Sequence, residues 1–461
     1  MQGGVCFFGK SRKIKRVWGG RRQVARQGRF LRGGLFRAPK NFFWSVFMDP
    51  FSLKPQKMDK VFTSWNKVFL KPYNKNEVDP YTRTRIILMS GTEFESVRLQ
   101  HSFTRMCANN DVRRRLALLR RGEQLQQKRV AGLKPADEGI LEHTIGYEQL
   151  AVDLTANLAL GEQNSYVKKQ LDFALLEDFD HLYRYADLME LEKCGDPARL
   201  VGDYTEIMPG RPTVAEYRHP FDDVNFYLNG YLSDLKTKLA VNIITAAEQQ
   251  TMNFYMNVAN LYTTPLGRKL FNEIAMIEEQ HVTGYGCLKD PCMTPFENLL
   301  MNEYTECYLY YSCYEDETDE HIKAVWEMHF EEEVAHLHEA AELLRAYEGK
   351  VWQQLFPSGG EFPELLKFRS QKAYIREVLK SVRLTAVEEG WEELDKLPDT
   401  FRFFSYNSRI HGGKPEAAGT HEVIERAIRE WGEDWRLQDK DHPVKELADR
   451  TMDNIDVGRV K

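Results

Sequence analysis

The sequence has no Cys-x-x-Cys pair among its seven cysteines. A rubredoxin-type iron centre and a zinc ribbon both require such pairs, so we expect neither within this chain. An odd number of cysteines in a large chain favours a reducing compartment, and hence the cytoplasm, over a disulfide framework. The sequence also lacks an apolar run long enough to span a bilayer, so we expect no membrane association.

Acidic residues are missing from the first 47 positions, which carry twelve Lys and Arg. The formal charge of −6 is therefore made up of +12 in this extension and −18 in the remainder. An acidic body argues against nucleic acid as a partner. The extension itself has three interpretations: translated upstream sequence before a start at Met48, which we favour, a transit peptide, or a polyanion-binding tail.

What the chain does contain is helical periodicity, from about Thr82 to about Leu344. We predict an all-α fold with a ferritin-like four-helix-bundle architecture, in which eight long helices form four hairpins in two repeats. The hairpins are numbered one to four and span 83–130, 140–191, 247–281 and 296–344. The predicted domains are a basic extension (1–47), a first repeat (80–195), a Pro-rich linker or crossover (196–228), a second repeat (229–349) and a C-terminal helical region (350–461). Within the last region we expect helices over 374–394 and 421–435.

One constant offset relates the two repeats. Five acidic or histidine residues lie 155 positions before five others of the same kinds: Glu93, Glu123, Glu148, Asp178 and His181 before Glu248, Glu278, Glu303, Glu333 and His336. A sixth pair, Gln126 and His281, keeps the spacing but loses one imidazole. A fixed period in residues that can bind metals indicates internal duplication.

Hairpin three shows why these residues suggest a metal. Glu248 lies within the apolar stripe of one helix, and Glu278 and His281 lie one turn apart on the apolar face of the next. Two antiparallel helices that supply a Glu and a Glu-x-x-His form half of a carboxylate-bridged di-metal site. The alternative is a buried hydrogen-bonded cluster without metal, but clustered carboxylates repel unless a cation lies among them.

On these residues the chain resembles rubrerythrin-like members of the ferritin-like di-iron carboxylate superfamily. The likeness rests on motif and spacing over roughly residues 82–348, with half-sites in hairpins two, three and four: Glu148 with Asp178 and His181, Glu248 with Glu278 and His281, and Glu303 with Glu333 and His336. The resemblance implies two iron ions per site, or manganese, and a reaction with dioxygen or peroxide. It further implies that Glu148 or Glu303 caps one ion and that Glu278 or Glu333 bridges the pair.

The sequence does not fix which hairpins share a site. The connection from Asp178 to Glu248 is long enough for a crossover, which favours hairpins two and three, but pairing hairpins two and four is a rival. In hairpin one, Gln126 replaces the histidine, so we interpret Glu93 and Glu123 as a decayed half-site kept for packing. Other open assignments are Glu95 as the partner of Glu248, a different register at Glu331 or Glu332, and His329 or His338 in place of His336.

Two tyrosines are candidate catalytic residues. Tyr255 and Tyr310 follow Glu248 and Glu303 by seven positions, which puts each on the ligand face of its helix. They are either hydrogen-bond donors or redox-active groups at the site, or ordinary core aromatics.

The leading functional hypothesis is a non-haem di-iron (or Fe/Mn) oxidoreductase that acts on dioxygen or peroxide. Because the chain has no rubredoxin-type module, its electrons would come from an external donor, a reductase or a rubredoxin-like protein. A homo-oligomer is compatible with the sequence. The alternatives are a non-catalytic metal-binding or storage protein and a purely structural bundle whose ligand sets have decayed.

Overall fold

Helices dominate the chain in the computed structural model, as the periodicity predicts. The structure describes residues 48–414, 418–448 and 450–453, so the interpretations of residues 1–47 lie outside the described residues. The helices are α1 (Pro80–Met106), α2 (Asn110–Ala131), α3 (Ile140–Gly161), α4 (Ser165–Leu191), α5 (Pro197–Val201), α6 (Leu235–Leu261), α7 (Pro265–Cys287), α8 (Pro295–Asp316), α9 (Glu320–Glu348), α10 (Lys372–Leu379), α11 (Arg402–Ile410) and α12 (Gly419–Trp431).

Local sequence explains where several long helices begin. Asp79 precedes α1, and its carboxylate accepts a hydrogen bond from the backbone N–H of Tyr81. Thr294 and Glu297 form a reciprocal capping box at the start of α8. Such caps satisfy backbone N–H groups that the first helical turn leaves without partners. Proline at the first position of α1, α7 and α8 reinforces these starts.

Short connections fold the long helices into four hairpins: α1 with α2, α3 with α4, α6 with α7, and α8 with α9. Beyond its own hairpin, α3 also packs on α6 and α4 on α7, while α1 packs on α8 and α2 on α9. Each of these two groups of four helices therefore takes one hairpin from each sequence repeat. The groups meet where α1 packs on α3 and α6.

The connection from α5 to α6 is the predicted crossover, and it is not merely a surface loop. Arg211, Glu216 and Arg218 are buried in it. Arg184 of α4 donates to the Glu216 carboxylate at 3.0 Å and to the Arg211 carbonyl at 3.0 Å. The segment therefore packs against the middle of α4 with charged side chains that are paired inside the protein.

The C-terminal region corrects one prediction. We expected a helix over 374–394, but α10 ends at Leu379, and an antiparallel hairpin of β1 (Leu384–Val387) and β2 (Gly390–Glu393) follows. Alternating β-branched residues favour a strand here, and Glu388 has a positive φ of 45° in the turn. The helix expected over 421–435 is present as α12, which packs on α4 and α7.

Within the described ranges, none of the helices combines the length and apolar character needed to cross a bilayer.

Candidate metal centres

Helices α3, α4, α6 and α7 bring six candidate ligands together in the interior. We call this set cluster A: Glu148, Asp178, His181, Glu248, Glu278 and His281. Every one of these side chains is buried. The structure therefore joins hairpins two and three around one point, and not hairpins two and four.

Cluster A divides into two ligand groups that have one member in common. Ligand atoms of Asp178, Glu248, Glu278 and His281 all lie within 4.8 Å of one another, and so do those of Glu148, His181 and Glu278. A carboxylate has two oxygens and can contact two cations at once. Glu278 therefore occupies the position from which one carboxylate could bridge two ions.

Cluster A leaves many polar atoms without hydrogen-bond partners. The unpartnered atoms are Glu148 Oε2, both carboxylate oxygens of Asp178 and of Glu248, Glu278 Oε2, His181 Nε2 and His281 Nδ1. Buried polar atoms are almost always paired in proteins, and leaving one unpaired costs about 1–3 kcal/mol. So many in one place indicate a missing cation or missing protons, and the cluster could hold a metal ion.

The environment of His281 fixes which of its nitrogens faces the cluster. Nε2 lies 2.8 Å from Glu177 Oε2, while Arg218 contacts the other oxygen of Glu177 at 2.5 Å. Burial alone would raise the pKa of Glu177, but Arg218 and the hydrogen bond from His281 lower it to about 2. Because an ionised Glu177 can only accept, Nε2 carries the proton. Nδ1 then points at Asp178, 3.2 Å away, and at Glu278, 3.3 Å away.

The second histidine of cluster A is also held in place. His181 Nδ1 lies 3.1 Å from Glu278 Oε1, and Nε2 has no hydrogen-bond partner. Burial, assisted by the nearby His281 and Arg184, lowers the pKa of His181 well below its usual value. A neutral imidazole is the form that binds metals.

Burial and mutual repulsion raise the pKa values of the acids of cluster A, whereas burial lowers that of His181. Burial first, and then the charge of Glu248, raises the pKa of Asp178 to about 7 and that of Glu278 well above its ordinary value. Burial and the charge of Glu278 do the same to Glu148. In the absence of a cation these carboxyls resist ionisation, so a bound cation and bound protons are alternatives here.

A second cluster lies among α1, α2, α8 and α9. We call this set cluster B: Glu93, Glu123, Glu303, Glu306, Glu333 and His336. It also divides into two groups, of which one contains Glu123, Glu303, Glu333 and His336 and the other Glu93, Glu123 and Glu306. Glu123 is common to both groups, as Glu278 is in cluster A. It is also the residue 155 positions before Glu278.

The imidazole of cluster B sits between two acids. His336 Nδ1 lies 3.1 Å from both Glu123 Oε1 and Glu333 Oε1, and 3.9 Å from Glu303 Oε2. Burial, followed by the charge of Glu123, raises the pKa of Glu333 to about 7. Gln126 does not replace the lost histidine as a ligand, because its amide Nε2 donates to Glu333 Oε1 at 2.5 Å.

Both candidate tyrosines contact cluster carboxylates and are fully buried. Tyr255 donates to Glu148 Oε1 of cluster A at 2.5 Å, and Tyr310 donates to Glu93 Oε1 of cluster B. Tyr310 is also 3.1 Å from His329 Nδ1. Burial first, then the contacted carboxylate, raises the pKa of each phenol well above its usual value, so both remain protonated donors.

The structure also answers several assignments that the sequence left open. Glu95 pairs with Arg98 rather than Glu248, Glu332 pairs with Arg129, and His338 lies near the Pro50 carbonyl. Glu93 and Glu123, interpreted from sequence as packing residues, lie inside cluster B. Their 155-residue offset to Glu248 and Glu278 was the signal that could have placed them there.

Glu306 is the ligand candidate that sequence reasoning missed altogether. It lies one turn after Glu303 and therefore on the same helix face, but it has no acidic counterpart in the other repeat.

Comparison of the chain with protein-family models, with curated proteins and with solved structures gave no match. The geometry of the two clusters therefore carries the functional argument.

Proposed function

We propose that the protein is a non-haem di-iron oxidoreductase of ferritin-like architecture, with cluster A as its reactive centre and dioxygen or peroxide as its oxidant. The observation that carries the proposal is the pair of buried ligand groups that share Glu278. Each group combines carboxylates with one imidazole, a donor set that suits iron and also manganese. The motif resemblance to rubrerythrin-like proteins supports the same assignment.

The residues of cluster A have separable roles in this proposal. Glu148 and His181 would hold one ion, Asp178, Glu248 and His281 would hold the other, and Glu278 would be shared between them. Two ferrous ions would supply the two electrons that reduce one peroxide to two waters. Protons for those waters must enter from outside cluster A, because its acids are ionised when they bind cations. An external reductant would return the electrons.

A group of buried aromatic rings on one side of cluster A also fits this chemistry. The buried rings of Tyr185, Tyr255 and Phe271 pack against one another beside the cluster, with centroid distances of 4.9–5.7 Å. A dry site strengthens the attraction between carboxylates and cations and protects reactive oxygen species from side reactions.

The proposal is tested by metal content and by reaction with the oxidant. Protein produced in iron-replete medium is expected to contain iron at cluster A, and His281→Ala is expected to lose it. Anaerobically reduced protein is then mixed with peroxide or with dioxygen in a stopped-flow spectrometer. Rapid oxidation by either oxidant supports the proposal, and the faster of the two identifies the physiological class. Protein without metal, or bound iron that neither oxidant reaches, would contradict it.

A second candidate is a metal-binding protein without catalysis, and the complete burial of the ligands favours it. Every ligand side chain of cluster A is at most 1% exposed. A storage or structural site needs no channel for a substrate. Bound metal combined with slow oxidation, and a large fall in thermal stability on chelation, would favour this candidate.

A further inference from the structure

Cluster B differs from cluster A in the kind of ligand atom at two positions, and the internal repeat identifies them. The counterpart of His281 is Gln126, so one imidazole is missing from cluster B. The counterpart of Glu306 is Ala151, a buried residue of α3 that has no side-chain ligand atom. Cluster B has therefore lost a nitrogen ligand and gained a carboxylate.

We propose that Glu93, Glu123 and Glu306 bind a divalent cation through oxygen atoms alone, and that this position takes Mn²⁺ more readily than the three other ligand groups of clusters A and B. This inference rests on the proposed metal binding and goes beyond it. It makes the protein a carrier of two dissimilar centres: cluster A with an imidazole at both positions and cluster B with an imidazole at one.

The three carboxylates are arranged as ligands rather than as a repelling surface. Each is fully buried and has one oxygen with no hydrogen-bond partner: Glu93 Oε2, Glu123 Oε2 and Glu306 Oε1. Ligand atoms of the three residues lie within 4.8 Å of one another. Unpaired buried oxygens that converge in this way need a cation or protons between them.

Neighbouring side chains hold the remaining oxygens of these carboxylates. Tyr310 donates to Glu93 Oε1, Gln100 Nε2 donates to Glu123 Oε1 at 3.2 Å, and Asn302 Nδ2 donates to Glu306 Oε2 at 2.9 Å. Such outer hydrogen bonds orient the ligands of a metal site. The hydrogen bond from Asn302 has no equivalent at cluster A, because the repeat counterpart of Asn302 is Tyr147.

The ligand chemistry separates the two positions of cluster B. Carboxylate oxygens suit Mg²⁺ and Mn²⁺, whereas imidazole adds affinity for Fe²⁺ and later transition metals. The position of Glu303, Glu333 and His336 keeps its imidazole. The position of Glu93 and Glu306 does not, so the advantage of Fe²⁺ over Mn²⁺ is smallest there.

The experiment replaces residues of cluster B with the residues found at the counterpart positions of cluster A. Metal-free full-length protein is reconstituted anaerobically with equal excess Fe²⁺ and Mn²⁺, and the bound ions are counted by mass spectrometry. The variants are Glu306→Ala, which copies Ala151, and the double variant Gln126→His/Glu306→Ala, which copies cluster A. Circular dichroism checks folding, and Glu306→Gln serves as the isosteric variant.

With one ion for each of the four ligand groups, wild type is expected to bind four ions. Glu306→Ala and Glu306→Gln are each expected to lose one ion and to have a lower Mn²⁺ share than the wild type. The double variant is expected to regain an ion with a higher share of Fe²⁺. Anomalous diffraction at the manganese and iron edges would place the Mn²⁺ between Glu93 and Glu306.

Two results would overturn the inference: full occupancy in both Glu306 variants, or the same Mn²⁺ share in the wild type and the double variant. Failure of the proposed function is a separate result. Wild-type protein that binds no ion at all defeats both proposals. Ions that remain at cluster A and disappear on His281→Ala, together with an unaffected Glu306→Ala, defeat only this inference.

Discussion

Clusters A and B are built on the same repeated helices. Of the two, only cluster A has a buried carboxylate outside the ligand set that accepts a hydrogen bond from a ligand histidine. Glu177 accepts from His281 Nε2 at 2.8 Å, whereas its repeat counterpart Glu332 pairs with Arg129 at 2.6 Å. The difference involves two positions: the residue that would face Glu332 is Gln126 and not a histidine, and Arg129 occupies the position at which the other repeat has Gly284. Where the imidazole is absent, the corresponding acid is kept and pairs with an arginine instead.

The comparison teaches that a repeat can conserve the positions of ligands while their chemistry changes. In each cluster two ligand groups share one Glu, which is Glu123 of α2 in cluster B and Glu278 of α7 in cluster A. A Glu of α1 or α6 belongs to one of the two groups. Around that common frame, cluster B has one imidazole and five carboxylates, and cluster A has two imidazoles and four carboxylates. The shared frame predicts similar geometry, and the different donors predict different metals.

The largest expected effect is a loss of metal from cluster A while cluster B keeps its metal. His281→Ala removes a nitrogen ligand and leaves carboxylates facing one another, so we expect a loss of metal affinity greater than the roughly 10–100-fold that follows removal of a supporting hydrogen bond. The matched control is Gln126→Ala at the counterpart position, which removes a hydrogen bond to Glu333 of cluster B but no ligand, and should leave the metal content of cluster A unchanged. Metal analysis of both purified variants measures the difference. Equal losses in the two variants would show that the clusters are not independent.

The second prediction compares Glu177, which contacts a ligand histidine, with its repeat counterpart Glu332, which does not. Glu177→Gln removes the charged acceptor for His281 Nε2–H, so metal affinity at cluster A is expected to fall roughly 10–100-fold. Glu332→Gln is the control, because Glu332 contacts Arg129 and no ligand histidine. Competitive titration with a chelator gives both affinities. An equal fall in both variants would mean that Glu177 acts through general charge rather than by orienting His281.

A third effect concerns pH, and both clusters contribute with the same sign. Burial, with help from a neighbouring acid, raises the pKa of Asp178 from 3.8 and of Glu333 from 4.5 to about 7 in each case. A carboxyl whose pKa is higher in the folded than in the unfolded chain stabilises the fold at low pH, and this contribution disappears as the pH rises from about 4 to about 7.

The two histidines that face the acids act in the same direction. Burial alone would lower their pKa values, but the carboxylates around them raise the pKa of His281 and His336. The lowered pKa of His181 acts in the opposite direction, but the groups with raised pKa values outnumber it, so metal-free protein should melt at a higher temperature at pH 5.5 than at pH 8. Bound metal displaces the protons and should weaken or reverse this dependence. Calorimetry at both pH values, with and without metal, measures it; identical profiles for the two forms would contradict metal binding at the clusters.

Sequence periodicity was enough for the helical class, and the 155-residue offset was enough to mark most of the residues that the structure brings together. Glu148 and Glu278 could be named because acids at core-facing helical positions are rare unless they are compensated. The length of the connection before α6 favoured the grouping of hairpins two and three, which the structure has. Chain length between elements is a physical constraint that one sequence does reveal.

The rest depended on contacts between distant helices. Sequence alone could not show that hairpins one and four meet, so Glu93 and Glu123 looked like remnants. Glu306 was missed because it breaks the repeat that drew attention to the others. Arg218, which holds Glu177 ionised, comes from the crossover, where no helical pattern predicts the direction of a side chain. The hairpin that follows α10 was missed because a four-residue strand is too short for its period to stand out.

The smallest effect compares the two tyrosines. Tyr255→Phe removes the hydrogen bond to Glu148, whereas Tyr310→Phe removes contacts with both Glu93 and His329. Loss of one buried hydrogen bond costs about 1–3 kcal/mol, so Tyr310→Phe should lower the unfolding free energy of metal-free protein more than Tyr255→Phe. Urea titrations give the two values. If either tyrosine also carries electrons, its Phe variant will oxidise more slowly at unchanged metal content, and an unchanged rate in both variants would restrict the tyrosines to holding carboxylates.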